Sequence, residues 1–458
     1  MAANEIDRAL IQTLVARERD VYAAANPRSS ELHGRADHLF GRVPMTWMNK
    51  WVGGFPLYLA SARGNRITDV DGHTYIDFAL GDTGAMAGHS PRATAAAVNQ
   101  RMSEIGGITT MLPTEDAEWV AAELCRRFGL PLWSFALSAT DANRWAIRLA
   151  RLVTGRPKIL VFSYCYHGTV DETFIVLDDE GVARSRPGNV GPAVDPTVTT
   201  RVVEFNDLAA VERELAHGDV AAILTEPALT NIGIVLPDNG FLQGVRDLAT
   251  KSGSLLMIDE THTISAGPGG MTARDGLSPD VFVIGKSLGG GIASGVYGLT
   301  NEVARRVHER VAAAEVDLID VGGVGGTLAG NALSLAAMRA TLEHVLTEDA
   351  FTRMIKLATR FSSETQQILD KYDVPWSIST LGARAEYRFT KPAPRSGNES
   401  AAAADDLLDE FMHLYMCNRG ILMTPFHNMA LMCPDTTDTD IDRHSEIFES
   451  AVRELVRA

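Results

Sequence analysis

A lysine set directly after a buried strand is a candidate nucleophile. The run Val281-Phe-Val-Ile-Gly285 is apolar, and Lys286 follows it, ahead of Ser287, Leu288 and the glycines 289–291. Three readings of this Gly-Lys pair are open. It can be a surface turn. It can be a phosphate-binding loop, but that motif requires a glycine five positions before Gly285, where the chain has Asp280. The third is a Schiff-base lysine, because an amine desolvated at a strand end loses its proton more readily and attacks an aldehyde.

The third reading needs partners. Leu255-Leu-Met-Ile ends in Asp259, a carboxylate that is costly to bury unless it is paired. An aldehyde cofactor such as pyridoxal phosphate is an electron sink only while its ring nitrogen stays protonated, and a carboxylate must face that nitrogen. A helix cap or a plain ion pair is the alternative role for Asp259. A phosphate needs a cradle, and Leu137-Ser138-Ala139-Thr140-Asp141-Ala142 joins an apolar run to a helical one. Backbone N–H groups and the Ser138 and Thr140 hydroxyls there would face an anion, although the same residues also make an ordinary N-cap. A flat ring needs a stacking partner. Tyr164-Cys165-Tyr166-His167-Gly168, after Lys158–Phe162, offers one, with core filling as the alternative.

The elements that must hold these groups follow a pattern. From residue 90 to 300, short apolar runs (Trp133–Leu137, Lys158–Phe162, Val220–Thr225, Leu255–Asp259, Val281–Gly285) alternate with helical ones (Ala93–Met102, Asp116–Phe128, Thr140–Val153, Phe241–Ser252). This predicts an α/β fold with a mostly parallel sheet covered on both faces. Ligands bind such sheets at the carboxyl ends of the strands. Before it, Glu5–Ala24 reads as a helix, residues 27–60 as irregular and aromatic, and Asn65–Phe78 as two strands joined at Asp71-Gly72. After it, Asn331–Leu346, Phe351–Tyr372, Ala401–Asn418 and Asp440–Arg457 read as helices, 377–390 as extended and 392–399 as a polar loop. The expected division is a large domain over 90–330 and a smaller α+β domain built from 1–89 and 331–458.

Composition narrows the class. The 458 residues are 45% hydrophobic and carry a formal net charge of −16 without a basic block, which argues against nucleic acid or an anionic membrane as partner. No apolar run is long enough to span a bilayer, and the first residues lack a leader pattern. Cys125, Cys165, Cys417 and Cys433 are too widely spaced for a metal or redox pair, no histidine has metal-ligand spacing, and reduced thiols in the cytoplasm are expected.

Taken together, Ser138-Ala-Thr-Asp-Ala142, Tyr166-His-Gly168, Thr225-Glu-Pro227, Ile258-Asp-Glu260, Gly285-Lys286 and Gly325-Gly-Thr327 fall in the order and spacing of the class III aminotransferases, which are fold-type I pyridoxal-phosphate enzymes. The chain resembles that family over residues 35–455, including Asp69-Val-Asp-Gly72 to Asp77-Phe78 and Gly88-His-Ser-Pro91. The resemblance implies roles. Lys286 would form the Schiff base with pyridoxal 5'-phosphate and shuttle the proton, and Asp259 would hold the pyridinium nitrogen. Tyr166 would stack on the ring, with Glu226 beside it. Ser138, Ala139 and Thr140 would bind the phosphate, joined by Thr327 of a neighbouring copy in a homodimer with shared sites. Departures occur at Ala139, where the family has glycine, and at Thr261 and His262, where it mostly has Val and then Gln or Met. Thr261 would pack on the ring face opposite Tyr166, and His262 would reach the phenolic oxygen. His89 and His167 are read as structural.

The implied function is transamination between a small-molecule amine or non-α amino acid and a keto acid such as pyruvate or 2-oxoglutarate. The alternative is another reaction of the same Schiff base: an aminomutase of the glutamate-1-semialdehyde type, a racemase or a phospholyase. A pyridoxal-fold binding protein without turnover is disfavoured by the complete Lys286, Asp259 and Tyr166 set. For the substrate side, the segment Val43–Trp51 places Trp47 where β-amino-acid transaminases can carry an arginine. An aromatic wall there favours bulky, apolar amines. The tail Gly420–Pro425 and Phe426–Met429 lacks an arginine, so Arg384 is the candidate for a substrate carboxylate, with an exposed pairing to Glu386 as its alternative role.

Overall fold

The computed structural model describes residues 6–314 and 317–456. The first residues, read above for a leader, and the predicted helix ends Glu5 and Arg457 lie outside the described residues. The chain divides into two compact units, one made of 92–348 with 394–402, the other of 1–91, 349–393 and 403–458.

The larger unit is built on seven strands: β1 (Leu132–Ala136), β2 (Lys158–Phe162), β3 (Thr200–Val203), β4 (Val220–Thr225), β5 (Leu255–Asp259), β6 (Val281–Gly285) and β7 (Gly295–Leu299). Their order in the sheet is β1-β7-β6-β5-β4-β2-β3. Strand β7 runs antiparallel to both its neighbours. The remaining pairs are parallel. Strands β4, β5 and β6 are buried along their whole length, as apolar runs without alternation require. Two strands of this sheet went unpredicted. β3 is only four residues long and includes Thr200 and Arg201, and β7 holds two glycines, which weaken a strand signal. Packing explains those glycines: a Cβ on Gly295 would lie 2.5 Å from the Ser138 carbonyl, and one on Gly298 would lie 2.9 Å from the Trp133 ring.

Helix α1 (Ala139–Thr154) leaves β1 directly, with Ser138 as its N-cap and Gly155, in the left-handed region, as its C-cap. Its buried stripe includes Ala142, Asn143, Ala146 and Ile147. The helix Asn301–Ala314 was not predicted. The expected polar loop 392–399 runs into a short helix, Gly397–Ala402, and the following helix starts only at Asp406, capped by Asp405.

The smaller unit has two sheets. Leu59–Arg63, Arg66–Asp69, Thr74–Asp77 and Ile421–Leu422 form the first. Strands β8 (Ser377–Leu381), β9 (Arg384–Arg388) and β10 (Met429–Leu431) form the second, all antiparallel. The segment expected to be irregular begins with a helix, Pro27–Gly34, opened by proline at its first position. Among the described residues, no helix is long and apolar enough to cross a membrane.

Candidate active site

In the larger unit the polar groups gather where the parallel strands end. Register pairs Asp259 with Val283, so Asp259 and Lys286 leave adjacent strands at the same end of the sheet. Asp259 is 2% exposed. Its Oδ2 accepts from Asn143 Nδ2 at 2.8 Å and faces His167 Nδ1 at 3.0 Å, and its Oδ1 accepts from the Thr261 backbone N–H at 3.0 Å. Burial works to raise its pKa, but the hydrogen bonds from His167, Thr261 and Asn143 prevail and hold it below the ordinary carboxylate value. For His167, burial opposes the charge, while the Cys165 sulfur and Asp259 push the pKa up to about 10. The adjacent Glu260 behaves oppositely. Burial dominates and raises its pKa, although Thr272 Oγ1 donates to it at 2.7 Å and the Met271 N–H at 3.2 Å. Of two consecutive buried carboxylates, the surroundings of Asp259 favour its anion and those of Glu260 disfavour it.

Lys286 opens a short 3-10 turn with φ +49°, in the left-handed region. Its Nζ lies 2.8 Å from His262 Nε2. His262 itself is 7% exposed. Ser138 accepts from the Asp141 N–H at 3.2 Å, and Thr140 Oγ1 accepts from the Thr169 N–H at 3.2 Å. Ala139 is the first helical residue, so its backbone needs no left-handed conformation and alanine is accommodated there. Gly168 has φ +79°, and a Cβ there would meet Thr140 Oγ1 at 2.0 Å, so the Tyr166-His-Gly168 turn presses closely on the helix start. Tyr166 is half-buried, edge-on to Phe174 with ring centroids 6.4 Å apart. Glu226 is buried after β4 and accepts from Thr230 Oγ1. Thr327 is exposed in the single chain, near exposed Leu328, Val321 and Ile319.

The remaining two candidates belong to the smaller unit. Trp47 lies edge-on to Phe426, centroids 5.8 Å apart, with Lys50 over the same Phe426 ring at 4.9 Å. Arg384 is not on an exposed strand: it is fully buried, with Nη2 3.6 Å from Asp82 Oδ1. Sequence reasoning missed Asn143 and underrated His167. Asn143 comes three residues after Thr140 on a helix, on a turn adjacent to the phosphate motif, which was the available signal.

The donors present fit pyridoxal phosphate. A helix N-terminus supplies backbone donors for a phosphate, Asp259 is a buried anion for a ring N–H, and Lys286 supplies an amine. Gly285 presses on the start of α1, where a Cβ would lie 2.9 Å from the Ala139 backbone N, so Lys286 leaves its strand beside the phosphate cradle.

Comparison with known proteins agrees. The family model "Aminotransferase class-III" matches residues 47–452. Glutamate-1-semialdehyde 2,1-aminomutase of Nitratidesulfovibrio vulgaris strain DP4 is 35% identical over 422 residues, covering 90% of this chain and 96% of that protein. A glutamate-1-semialdehyde aminomutase from Pseudomonas aeruginosa PAO1, solved with a lysine-to-alanine substitution and in complex with PMP, is 46% identical. It matches with a TM-score of 0.94, covering 98% of this chain and 99% of that one. A β-phenylalanine aminotransferase from Variovorax paradoxus matches with a TM-score of 0.84 at 27% identity, covering 96% of this chain and 97% of that one. The chain belongs to the class III aminotransferase family. It is a pyridoxal-phosphate-dependent enzyme with the fold-type I architecture.

Proposed function

We propose that this enzyme moves an amino group between neighbouring carbons of one small acidic molecule, as a 2,1-aminomutase acting on glutamate 1-semialdehyde. The observation that carries this reading is the 46% identity to an aminomutase over nearly the whole chain, against 27% to a transaminase. The relatives thus favour the intramolecular alternative over the two-substrate transamination expected first.

Bound pyridoxal phosphate supplies a carbonyl that takes up amines and a ring that accepts the electron pair of the adjacent carbon. The proposed duties of the chain's own residues follow from their chemistry. Lys286 Nζ anchors the cofactor and carries a proton between carbon atoms. Asp259, kept anionic by Asn143, His167 and Thr261, holds a positive charge at the ring nitrogen. Ser138, Ala139 and Thr140 receive the phosphate at the start of α1. Tyr166 and Thr261 flank the ring, and Glu226 and His262 stand beside it. The exposed Thr327 would complete the phosphate site of a second copy, so the proposed working form is a homodimer. Arg384 is proposed for a substrate carboxylate. Transamination of a bulky amine with a keto acid is the second reading, favoured by the aromatic pair Trp47–Phe426.

The test supplies glutamate 1-semialdehyde alone. Turnover to the isomer with its amine on carbon 1 and a ketone on carbon 2, without added acceptor, is expected. Rapid amine-to-pyruvate transfer with no such isomerisation would overturn the reading. In either assay Lys286→Ala should lose at least about 1,000-fold.

A further inference from the structure

We infer that His262 is the proton-exchange partner of Lys286, taking the proton that the amine must give up before it can act as nucleophile or base. The contact is Nζ to Nε2 at 2.8 Å, inside the larger unit. Two nitrogens at that distance share one proton. Either an ammonium donates to the Nε2 lone pair, or an Nε2–H donates to a neutral amine. Both groups charged would place two like charges in contact, which burial makes worse.

The step balances within the pair. An Nζ–H bond breaks and leaves its electron pair on Nζ, an Nε2–H bond forms, and the charge passes from ammonium to imidazolium. No further reactant is required. An imidazole is suited to this because it exchanges protons around neutral pH, where an ordinary lysine remains an ammonium. The strand-end position matters as well. His262 comes three residues after the end of apolar β5 has placed Asp259, and Lys286 follows β6, so two adjacent strands fix the approach of the two nitrogens. The titratable groups on the elements that meet here are Asp259 and Glu260 before His262, Glu226 after β4, Cys165, Tyr166 and His167 after β2, and Asp141 in the first turn of α1. All of them stay unchanged in the variants below and contribute equally to each profile.

The inference rests on Lys286 as the reactive amine and is independent of whether the amino group stays on one molecule or passes to a second. The experiment uses the full-length chain freed of cofactor and follows capture of added pyridoxal phosphate by absorbance across neutral and alkaline pH. His262→Gln keeps a hydrogen-bonding group but cannot carry a proton, whereas His262→Leu removes both. In both variants the maximal capture rate at neutral pH should fall about tenfold or more, and the profile should move to higher pH by about one unit. The concentration giving half-maximal capture is fitted separately from the maximal rate, so that a lost contact between His262 and the ring is read apart from a lost proton exchange. If His262→Gln restores the wild-type profile, His262 only positions the amine and the inference fails. If neither variant moves the profile, it also fails. Lys286→Ala is the separate control: if that variant still forms the bound-cofactor absorbance and turns over, the assignment of Lys286 falls, whatever His262 does.

Discussion

The end of β5 and the middle of β9 hold nearly the same chemistry in different topological settings. Each presents a fully buried carboxylate, Asp259 or Glu386, facing a histidine Nδ1: His167 at 3.0 Å and His427 at 3.2 Å. In both, burial raises the pKa and the neighbours more than offset it. For Glu386 the first of these is His427, followed by Arg384 and Arg388. The settings differ. Asp259 terminates a parallel strand, at the end of the sheet where such folds bind their ligands. Glu386 lies mid-strand between Arg384 and Arg388, which share its face at a spacing of two, and β8 and β10 pair on either side of the strand. A buried, charge-paired carboxylate is thus not by itself a mark of reactivity. Its place on the strand separates a poised group from one that ties a sheet together.

The sharpest way to break this contrast is to neutralise both carboxylates. Asp259→Asn should lower kcat by at least about 100-fold while the protein still binds cofactor, since an amide cannot hold a pyridinium charge. Glu386→Gln should leave kcat within about threefold and lower stability by up to about 3–5 kcal/mol, because His427 loses its carboxylate partner and the buried Arg384 and Arg388 lose a neighbouring negative charge. Steady-state kinetics and urea unfolding of both variants decide the matter. Equal losses of turnover would make β9 part of the chemistry.

A second pair of substitutions probes the phosphate cradle from behind. Gly295→Ala and Gly298→Ala both overpack β7, each at about 1–3 kcal/mol. Only the first pushes against the Ser138 carbonyl; the second meets the Trp133 ring. Cofactor affinity, measured by equilibrium dialysis, should fall about tenfold for Gly295→Ala and stay near wild type for Gly298→Ala. Equal affinities would show that the cradle tolerates movement of Ser138. For Arg384→Met, KM for a carboxylate-bearing substrate should rise about tenfold with kcat little changed. An unchanged KM with a lower unfolding midpoint would assign Arg384 to the Glu386 network instead.

How far the sequence reached follows the same division. Strand ends were legible because an apolar run that stops at Asp259 or Lys286 is a pattern inside a few residues, and β2, β4, β5 and β6 have the bounds predicted for them. The phosphate turn was legible as a cap, and its helix differs from the expected one only at the ends. The β9 cluster was not legible. Arg384-Ala-Glu-Tyr-Arg388 alternates charge with bulk, which reads as a half-exposed strand, but Arg384 and Glu386 are fully buried. Their partners Asp82 and His427 come from distant parts of the chain, and no local spacing announces them. The contact between His262 and Lys286 escaped for the same reason: both residues were singled out, but their approach depends on the pairing of β5 with β6.

The smallest expected effect separates the two regions by the sign of their pH response. His444, on the helix Asp438–Leu455, is fully buried among Phe361, Phe448 and Phe78, with ring centroids 4.2, 5.6 and 5.7 Å away. Neither ring nitrogen has a hydrogen-bond partner among the described residues, and burial pushes its pKa down to about 3. A histidine whose folded pKa lies below its unfolded value contributes stability that is complete above about pH 6.5 and is lost as pH falls, at up to about 1.4 kcal/mol per pH unit. His167 has the opposite sign. Its folded pKa is raised to about 10, so its contribution is complete below the ordinary histidine range and is lost as pH rises through about 10. Asp259, held below the ordinary carboxylate value, loses its contribution only in stronger acid, as pH falls through that lowered value. Mild acid should therefore weaken the smaller unit through His444 while the strand-end pair is intact. His444→Phe, with His444→Leu as a less bulky companion, should flatten the decline in urea midpoint between about pH 7.5 and about pH 5. An undiminished decline in both variants would show that the acid response arises elsewhere and that His444 remains uncharged for reasons other than its aromatic cage.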